Sequence, residues 1–213
     1  MNRKIEDIRK DYTKDVLEIN DLSSSPIKQF ESWFSNALKS NVLEANALVL
    51  STISNDGMPN ARVVLLKGIT SMGFKFFTNY NSEKGRELDS NPQASMTFFW
   101  PELEQQVRIM GSIEKLSAED SDAYFNSRPQ GSKISAIASN QSSKVDHRDE
   151  LTHEVKRLES LYKNGGIKRP DHWGGYLLKP SKVEFWQGRP SRLHDRFLYE
   201  LIDGNWSISR LAP

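Results

Sequence analysis

The sequence has no cysteine. Disulfides, thiolate metal sites and cysteine nucleophiles are therefore excluded. It also lacks any run approaching the ~20 consecutive apolar residues of a membrane-spanning helix. The N-terminal Met1-Asn-Arg-Lys-Ile-Glu-Asp-Ile8 has no apolar core of a secretory signal. Cytoplasmic residence and no membrane partner are expected. Excess charge of either sign is missing too: 29 Lys+Arg face 28 Asp+Glu, so there is no global electrostatic case for nucleic acid. The four histidines, His147, His153, His172 and His194, are dispersed without ligand spacing, and no metal site is expected. No Gly-x-Gly-x-x-Gly, Walker-type loop or Gly-x-Ser-x-Gly elbow is present, which leaves Rossmann, P-loop and elbow-hydrolase chemistry unsupported. No internal repeat or low-complexity tract occurs.

What remains is a 213-residue chain with ten Phe, six Tyr and five Trp, enough for one sizeable core. The first twenty residues are polar and read as a short helix and an arm. Ser25-Pro26 caps a helix whose Ile27, Phe30, Trp33, Phe34, Ala37 and Leu38 share one face. From Ala47 the period changes. Segments 47–54, 61–67, 74–78, 94–100 and 106–113 read as strands, interrupted by one helix capped by Ser82 and stopped at Asn91-Pro92. Such a series of antiparallel strands with short turns favours a closed or nearly closed barrel. A helical section follows: Ser117 caps 118–127, Arg128 to Ser132 breaks it, and an amphipathic helix carries Leu151, Val155, Leu158 and Leu161. Two further strands, 173–178 and 183–187, and a hairpin across Asp203-Gly204 complete an α+β chain.

The densest chemistry lies in Glu184-Phe-Trp-Gln-Gly-Arg-Pro-Ser-Arg-Leu-His-Asp-Arg196. Arg192, His194 and Arg196 are spaced two apart, so an extended chain would point all three to one face. Guanidinium forks suit phosphate or carboxylate, and imidazole titrates near neutrality. Together with Trp186 they suit an anionic aromatic ligand. Arginine-rich strand ends are equally found solvated or paired, and Asp195 and Glu184 are at hand; composition leaves both readings open. Arg62 and Lys67 flank an apolar strand, where alternation places them on opposite faces. Thr78 to Arg86 runs from a strand into a helix start, where Lys84 and free N–H groups suit an anion. Tyr124, Arg128 and Ser132 surround a helix break and can grip a phosphate. Each of these is also a common feature of sites that bind nothing.

In order along the chain, these segments resemble one family, pyridoxine (pyridoxamine) 5′-phosphate oxidase. The motifs are Arg62-x-Val-Leu-Leu-Lys67, Phe77-Thr-Asn-x-x-Ser-x-Lys84, Asn91-Pro, Gln106-Val-Arg-Ile, Tyr124-Phe-x-Ser-Arg-Pro-x-Gly-Ser132, Ser139-x-Gln-Ser142, Glu184-Phe-Trp-Gln-Gly and Arg192-Leu-His-Asp-Arg196. The ending, Trp206-x-Ile-x-Arg-Leu-Ala-Pro213, also looks like the family's, and the likeness extends from about Arg9 onward.

The resemblance implies an α+β fold: a predominantly antiparallel, FMN-binding split β-barrel with flanking helices. It further implies a homodimer with active sites at the subunit interface. Residues 1–24 would form an arm or lid, 25–143 the FMN-binding core, and 144–213 a helix and strands completing the site and the interface. By the same resemblance, Arg62, Val63, Val64, Leu65, Leu66, Lys67, Phe77, Thr78, Lys84, Gln106, Gln141, Ser142, Trp186 and Arg196 would hold FMN. Lys67, Tyr124, Arg128, Ser132, Arg192 and His194 would hold the phosphorylated pyridoxyl substrate, with Arg9 and Tyr12 closing over it. The implied reaction is hydride transfer from substrate C4′ to flavin N5, then reoxidation by dioxygen to hydrogen peroxide. Pyridoxal 5′-phosphate is formed, with ammonia from the amine substrate. Arg192 and His194 would be the catalytic pair, positioning and polarising first, proton-transferring second. One departure stands out: Glu83 replaces an arginine that many members carry, and is expected to turn away from the phosphate while Lys84 and Arg62 compensate. A different flavoenzyme on the same barrel should lack the Tyr-Arg-Ser and Arg-x-His sets. A non-catalytic flavin or pyridoxal-phosphate carrier would share most of these residues.

Overall fold

The computed structural model describes residues 4–8 and 10–213. Ser25, whose side chain accepts from the Lys28 N–H, and Pro26 at the first position start α1 (Pro26–Lys39). Ile27, Phe30, Trp33 and Ala37 bury its apolar face. The strands are β1 (Ala47–Ile53), β2 (Pro59–Leu65), β3 (Gly68–Thr70), β4 (Gly73–Asn79), β5 (Gln93–Trp100), β6 (Gln105–Lys115), β7 (Trp173–Gln187), β8 (Asp195–Ile202) and β9 (Asn205–Arg210). Between them lie α2 (Glu83–Ser90), α3 (Ala118–Ser127), α4 (Gln130–Ala138) and α5 (Arg148–Leu161).

All nine strands join one antiparallel sheet ordered β2-β1-β5-β6-β7-β4-β3, with β8 on β7 and β9 outside β8. Strand period two sorts its faces. Leu48, Leu50, Met96, Phe98, Trp100, Val107, Ile109, Val183 and Phe185 point inward, where Phe30 of α1 meets Phe74 and Phe98 at 4.9 Å. Removing such a buried ring would cost about 3–5 kcal/mol. The other face leaves Val49, Ile53, Val63, Leu65 and Phe99 exposed, with Val49 directly opposite Val63. An exposed apolar strip of this kind marks an interaction surface.

β7 is the spine. The two strands read at 173–178 and 183–187 are one continuous strand, because β6 pairs along almost its whole length. On its other edge β7 pairs first with β4 and then with β8. The β8–β9 turn uses Asp203 (φ 49°) and Gly204 (φ 80°), the doubly left-handed geometry expected of Asp-Gly. At the N-terminus the expected helix is only a 3₁₀ turn, Ile5–Asp7. The break expected over Arg128 to Ser132 is confined to Arg128 and Pro129, since α4 begins at Gln130. Among the described residues no helix is long and apolar enough to cross a membrane.

Candidate active site

A cleft of about 810 Å³ opens between β2, β4, the start of α2, the α3–α4 junction and the first residue of β7. It is lined by Arg62, Val63, Val64, Leu65, Lys67, Phe77, Thr78, Lys84, Tyr124, Arg128, Ser132 and Gln141. Arg62 and Lys67 thus share one cavity, which takes residues from both faces of the strand end between them, Val63, Val64 and Leu65. β2 ends at Leu65, and Leu66 and Lys67 donate to the Asn46 and Lys75 carbonyls. Leu66, grouped with the cofactor residues by sequence, is 5 % exposed and belongs to the core.

At one part of the cleft, Ser82 caps α2 and Lys84 lies buried behind it. Its Nζ donates to Thr78 Oγ1, Ser82 Oγ and Gln141 Oε1, each at 3.4 Å. All three are neutral oxygens. Burial, and then Arg62, lower the Lys84 pKa, while Glu83 and Glu87 counteract them. A buried ammonium with only neutral partners favours an anion arriving beside it. The Arg62 Nη2 is 3.1 Å from buried Glu87 Oε2, and Nη1 donates to Thr52 Oγ1. Burial pushes the Glu87 carboxyl up, but hydrogen bonds from Thr52, Asn60 and Arg62 outweigh it and hold the pKa below its usual range. Glu83 does not line the cleft, yet its exposed carboxylate stands 3.9 Å from Arg62 Nη2.

At another part, aromatic rings form a deck. Phe77 stacks on Tyr124 at 3.9 Å and on Trp173 at 5.7 Å. Pro129 prevents α3 from continuing, leaving Arg128 extended (φ −73°, ψ 149°). The Arg128 guanidinium lies over Trp173, and its Nη1 is buried without a hydrogen-bond partner among the described residues. Burial lowers its pKa, partly offset by Tyr124, but a guanidinium stays charged near neutrality.

A second cluster lies apart. Phe99, Gln106, Trp186 and Arg196 are direct cross-strand partners on β5, β6, β7 and β8. Glu184, two residues before Trp186 and buried, accepts from Arg196 Nε at 2.8 Å and Arg108 Nη1 at 3.2 Å. The His194 ring sits 4.6 Å from Trp186. Its Nδ1 accepts from the Arg189 N–H at 3.1 Å, so the neutral ring carries its proton on Nε2. Burial, then Arg192, lower the His194 pKa against the pull of Asp195. The expectation that Arg192, His194 and Arg196 alternate along one strand fails. Pro190–Arg192 form a 3₁₀ turn with Ser191 and Arg192 at φ 56° and 63°, and β8 starts only at Asp195. Arg192 is exposed on that turn.

The arm covers this cluster. Tyr12 meets Trp186 edge-on at 5.7 Å and His194 at 5.9 Å. Gly188 admits it: a Cβ there would stand 2.7 Å from Tyr12 Cγ. Buried Glu104 accepts from the Thr13 and Lys14 N–H groups at 2.7 and 3.0 Å and pairs with Lys10 at 3.1 Å. Arg9, assigned by sequence to the same arm, lies outside the described residues.

The structure therefore divides the sequence-expected residues. Gln106, Trp186, Arg192, His194, Arg196 and Tyr12 do not line the cleft, and neither does Ser142, exposed at φ 71°. Trp173 and Trp186 stand at opposite ends of β7; at about 3.3 Å per residue that is up to roughly 40 Å of strand. Sequence reading missed Trp173, Ser135, Ala136 and Ser139 as cleft residues. The α4 residues carried a signal: with Ser132 they are small side chains at helical spacing. Trp173 carried none beyond its size.

Residues 34–162 match the family model described as pyridoxamine 5′-phosphate oxidase. The chain belongs to the pyridoxamine 5′-phosphate oxidase family. Residues 173–213, which are β7 to β9 and the end of the chain, match the family's C-terminal dimerisation region. Relatives named pyridoxine/pyridoxamine 5′-phosphate oxidase include one from a Cyanothece species, 48% identical over 213 residues with both chains fully covered. Another, from Paraburkholderia phytofirmans, is 51% identical over 209 residues, covering 97% of this chain and 98% of that one. Among solved structures, PhzG from Burkholderia lata 383, in complex with tetrahydrophenazine-1-carboxylic acid, matches at a TM-score of 0.89 and 33% identity. It covers 93% of this chain and 98% of that one. A pyridoxamine 5′-phosphate oxidase-related, FMN binding protein from Nostoc punctiforme shares the fold at a TM-score of 0.70 and 17% identity, over 90% of this chain and all of that one. The curled antiparallel sheet with flanking helices is the split barrel of this family.

Proposed function

We propose that this chain is an FMN-dependent oxidase that converts pyridoxamine and pyridoxine 5′-phosphates to pyridoxal 5′-phosphate, working as a homodimer. The observation that carries this reading is one cleft with two cations on different elements, neither facing a carboxylate at hydrogen-bond distance: Lys84 on α2, whose Nζ has only neutral oxygen partners, and Arg128 at the α3–α4 junction, whose Nη1 is unpartnered among the described residues. A phosphorylated flavin and a phosphorylated substrate each bring one dianion. The residues fit the cofactor: Arg62, Thr78, Lys84 and Gln141 would take its phosphate and polar edge, with Val63 to Leu65 against its apolar surface. When bound, FMN would supply the two-electron oxidation and, reoxidised by dioxygen, give hydrogen peroxide.

The chain's own groups bind and orient. Tyr124, Arg128 and Ser132 would grip the substrate phosphate. Arg192 and His194 would border the reacting carbon, with His194 offering an Nε2–H donor in its neutral form. Tyr12 closes the same side against water. Gln106, Trp186 and Arg196 do not line the cleft of their own chain. We infer that they serve the cleft of the partner, brought there by the exposed Val49, Val63 and Phe99 face and by the C-terminal strands. The proposed compartment is the cytoplasm.

Anaerobic addition of pyridoxamine 5′-phosphate to FMN-loaded protein should bleach the flavin spectrum. Air should then restore it, with pyridoxal 5′-phosphate and peroxide released. A spectrum that does not bleach would leave a binding protein rather than an oxidase.

Glu83 gives a second expectation. Its carboxylate offsets Arg62 and Lys84 at the proposed phosphate end. Glu83→Gln should tighten FMN binding roughly two- to fivefold at low salt, the scale of one exposed charge pair, and leave riboflavin unaffected. Flavin fluorescence titration measures both; unchanged or weaker FMN binding would remove Glu83 from the phosphate's field.

A further inference from the structure

We propose that Trp173 is a positioning residue for the substrate's phosphate: its indole carries the Arg128 guanidinium and so sets the preference for phosphorylated over unphosphorylated ligands. This rests on the reading of the cleft given above. Trp173 opens β7 and is 6 % exposed. Its backbone is fixed at both ends, the N–H donating to Pro170 O at 3.0 Å and the carbonyl accepting from Arg169 Nη1 at 2.7 Å. Its ring is fixed as firmly, stacked within 15° of Phe77 and 9° of Tyr124, and edge-on to Phe125. The indole is therefore held from several sides.

Arg128 is the opposite case. It follows the end of a helix, in extended backbone, on a long side chain with many rotamers. The contacts that orient it are aromatic faces, Trp173 at 4.5 Å and Phe125 at 5.8 Å. A guanidinium held over an indole face by its charge, rather than by hydrogen bonds, leaves its N–H groups for oxygens at its rim. The buried, unpartnered Nη1 is such a group, and Arg128 and Trp173 both line the cleft. A carboxylate partner would orient the arginine equally well but would compete with the phosphate. The ring orients it and leaves the charge available. Tyr124 makes the deck continuous, since it stacks on Phe77 and also belongs to the proposed phosphate grip.

The test is equilibrium titration of the FMN-loaded protein with pyridoxal 5′-phosphate and, separately, with pyridoxal. Trp173→Leu should weaken the phosphorylated ligand on the order of tenfold, the scale of a desolvated cation–π contact. Pyridoxal binding and FMN affinity should stay as they are. In an Arg128→Ala background the same substitution should add nothing, because its effect passes through the arginine. Additive losses, or an equal loss for pyridoxal, would overturn the proposal and leave Trp173 a packing residue. If Trp173→Leu does not fold, Trp173→Phe repeats the cycle: it keeps the stack on Phe77 and weakens the cation contact. Arg128→Ala alone distinguishes the two levels. If it leaves pyridoxal 5′-phosphate binding unchanged, the reading of the cleft itself fails; if it weakens binding while Trp173 variants do not, only the role of Trp173 fails.

Discussion

Arg128→Ala and Arg192→Ala subunits should each be inactive as homodimers and recover activity when mixed. Arg128 lines the cleft, whereas Arg192 sits on the turn beyond the far end of β7. If each working site takes the cleft of one copy and the Trp186 cluster of the other, a mixed dimer holds one site with both defects and one with none. Random reassortment would then restore roughly a quarter of the wild-type sites, given a two-fold symmetric pair. Co-expression with two affinity tags and a peroxide assay would measure it. Absence of any recovery in verified mixed dimers would mean that each chain builds its site alone. Arg192 is exposed, so its loss should leave the fold intact.

Glu104→Ala should release the N-terminal arm. The carboxylate is buried, and its loss would remove the hydrogen bonds that hold the exposed Thr13 and Lys14 backbone and the ion pair with exposed Lys10. Unmade hydrogen bonds to a charged group cost about 1.5–3 kcal/mol, so proteolysis within residues 10–17 should accelerate by on the order of tenfold or more. The KM for pyridoxamine 5′-phosphate should rise with it as Tyr12 leaves Trp186 and His194, while FMN binding stays unchanged. Unchanged cleavage and KM would sink the latch. Acid should act similarly. Burial pushes the Glu104 pKa up, but hydrogen bonds from Lys14, Lys10 and Thr13 prevail and set it below the ordinary value of 4.5. A depressed folded-state pKa gives the latch full strength above that ordinary value. It is lost as pH falls through the lower folded one.

Local chemistry was legible in the sequence where one residue decides the outcome. Ser25-Pro26, Ser82, Ser117 and Asp203-Gly204 all mark their helix starts or turn, because caps and left-handed turns depend on side chains at fixed offsets. Alternation misled where the chain departs from regular strand. Pro190 starts a 3₁₀ turn that takes Arg192 off the face of Arg196. The unity of β7 was hidden by the gap between the strands read at 173–178 and 183–187; Pro180 in that gap sits opposite Gly111, beside the irregularity between Met110 and Gly111 in β6, where bulged pairing tolerates it. The cleft residues from Arg62 to Gln141 came from ordered motifs. The Arg128–Trp173 contact spans 45 positions and arises only from how the deck packs.

The single strand running from Trp173 to Trp186 also ties cofactor loading to assembly. Under the shared-site reading, one end of β7 serves its own cleft and the other end serves the neighbour's. Anything that binds the completed site then stabilises the pair over its separate halves, by an amount that grows with the logarithm of ligand concentration. Dilution and flavin loss become one equilibrium observed from two sides. The yellow colour of the preparation would report subunit association as directly as a sizing column.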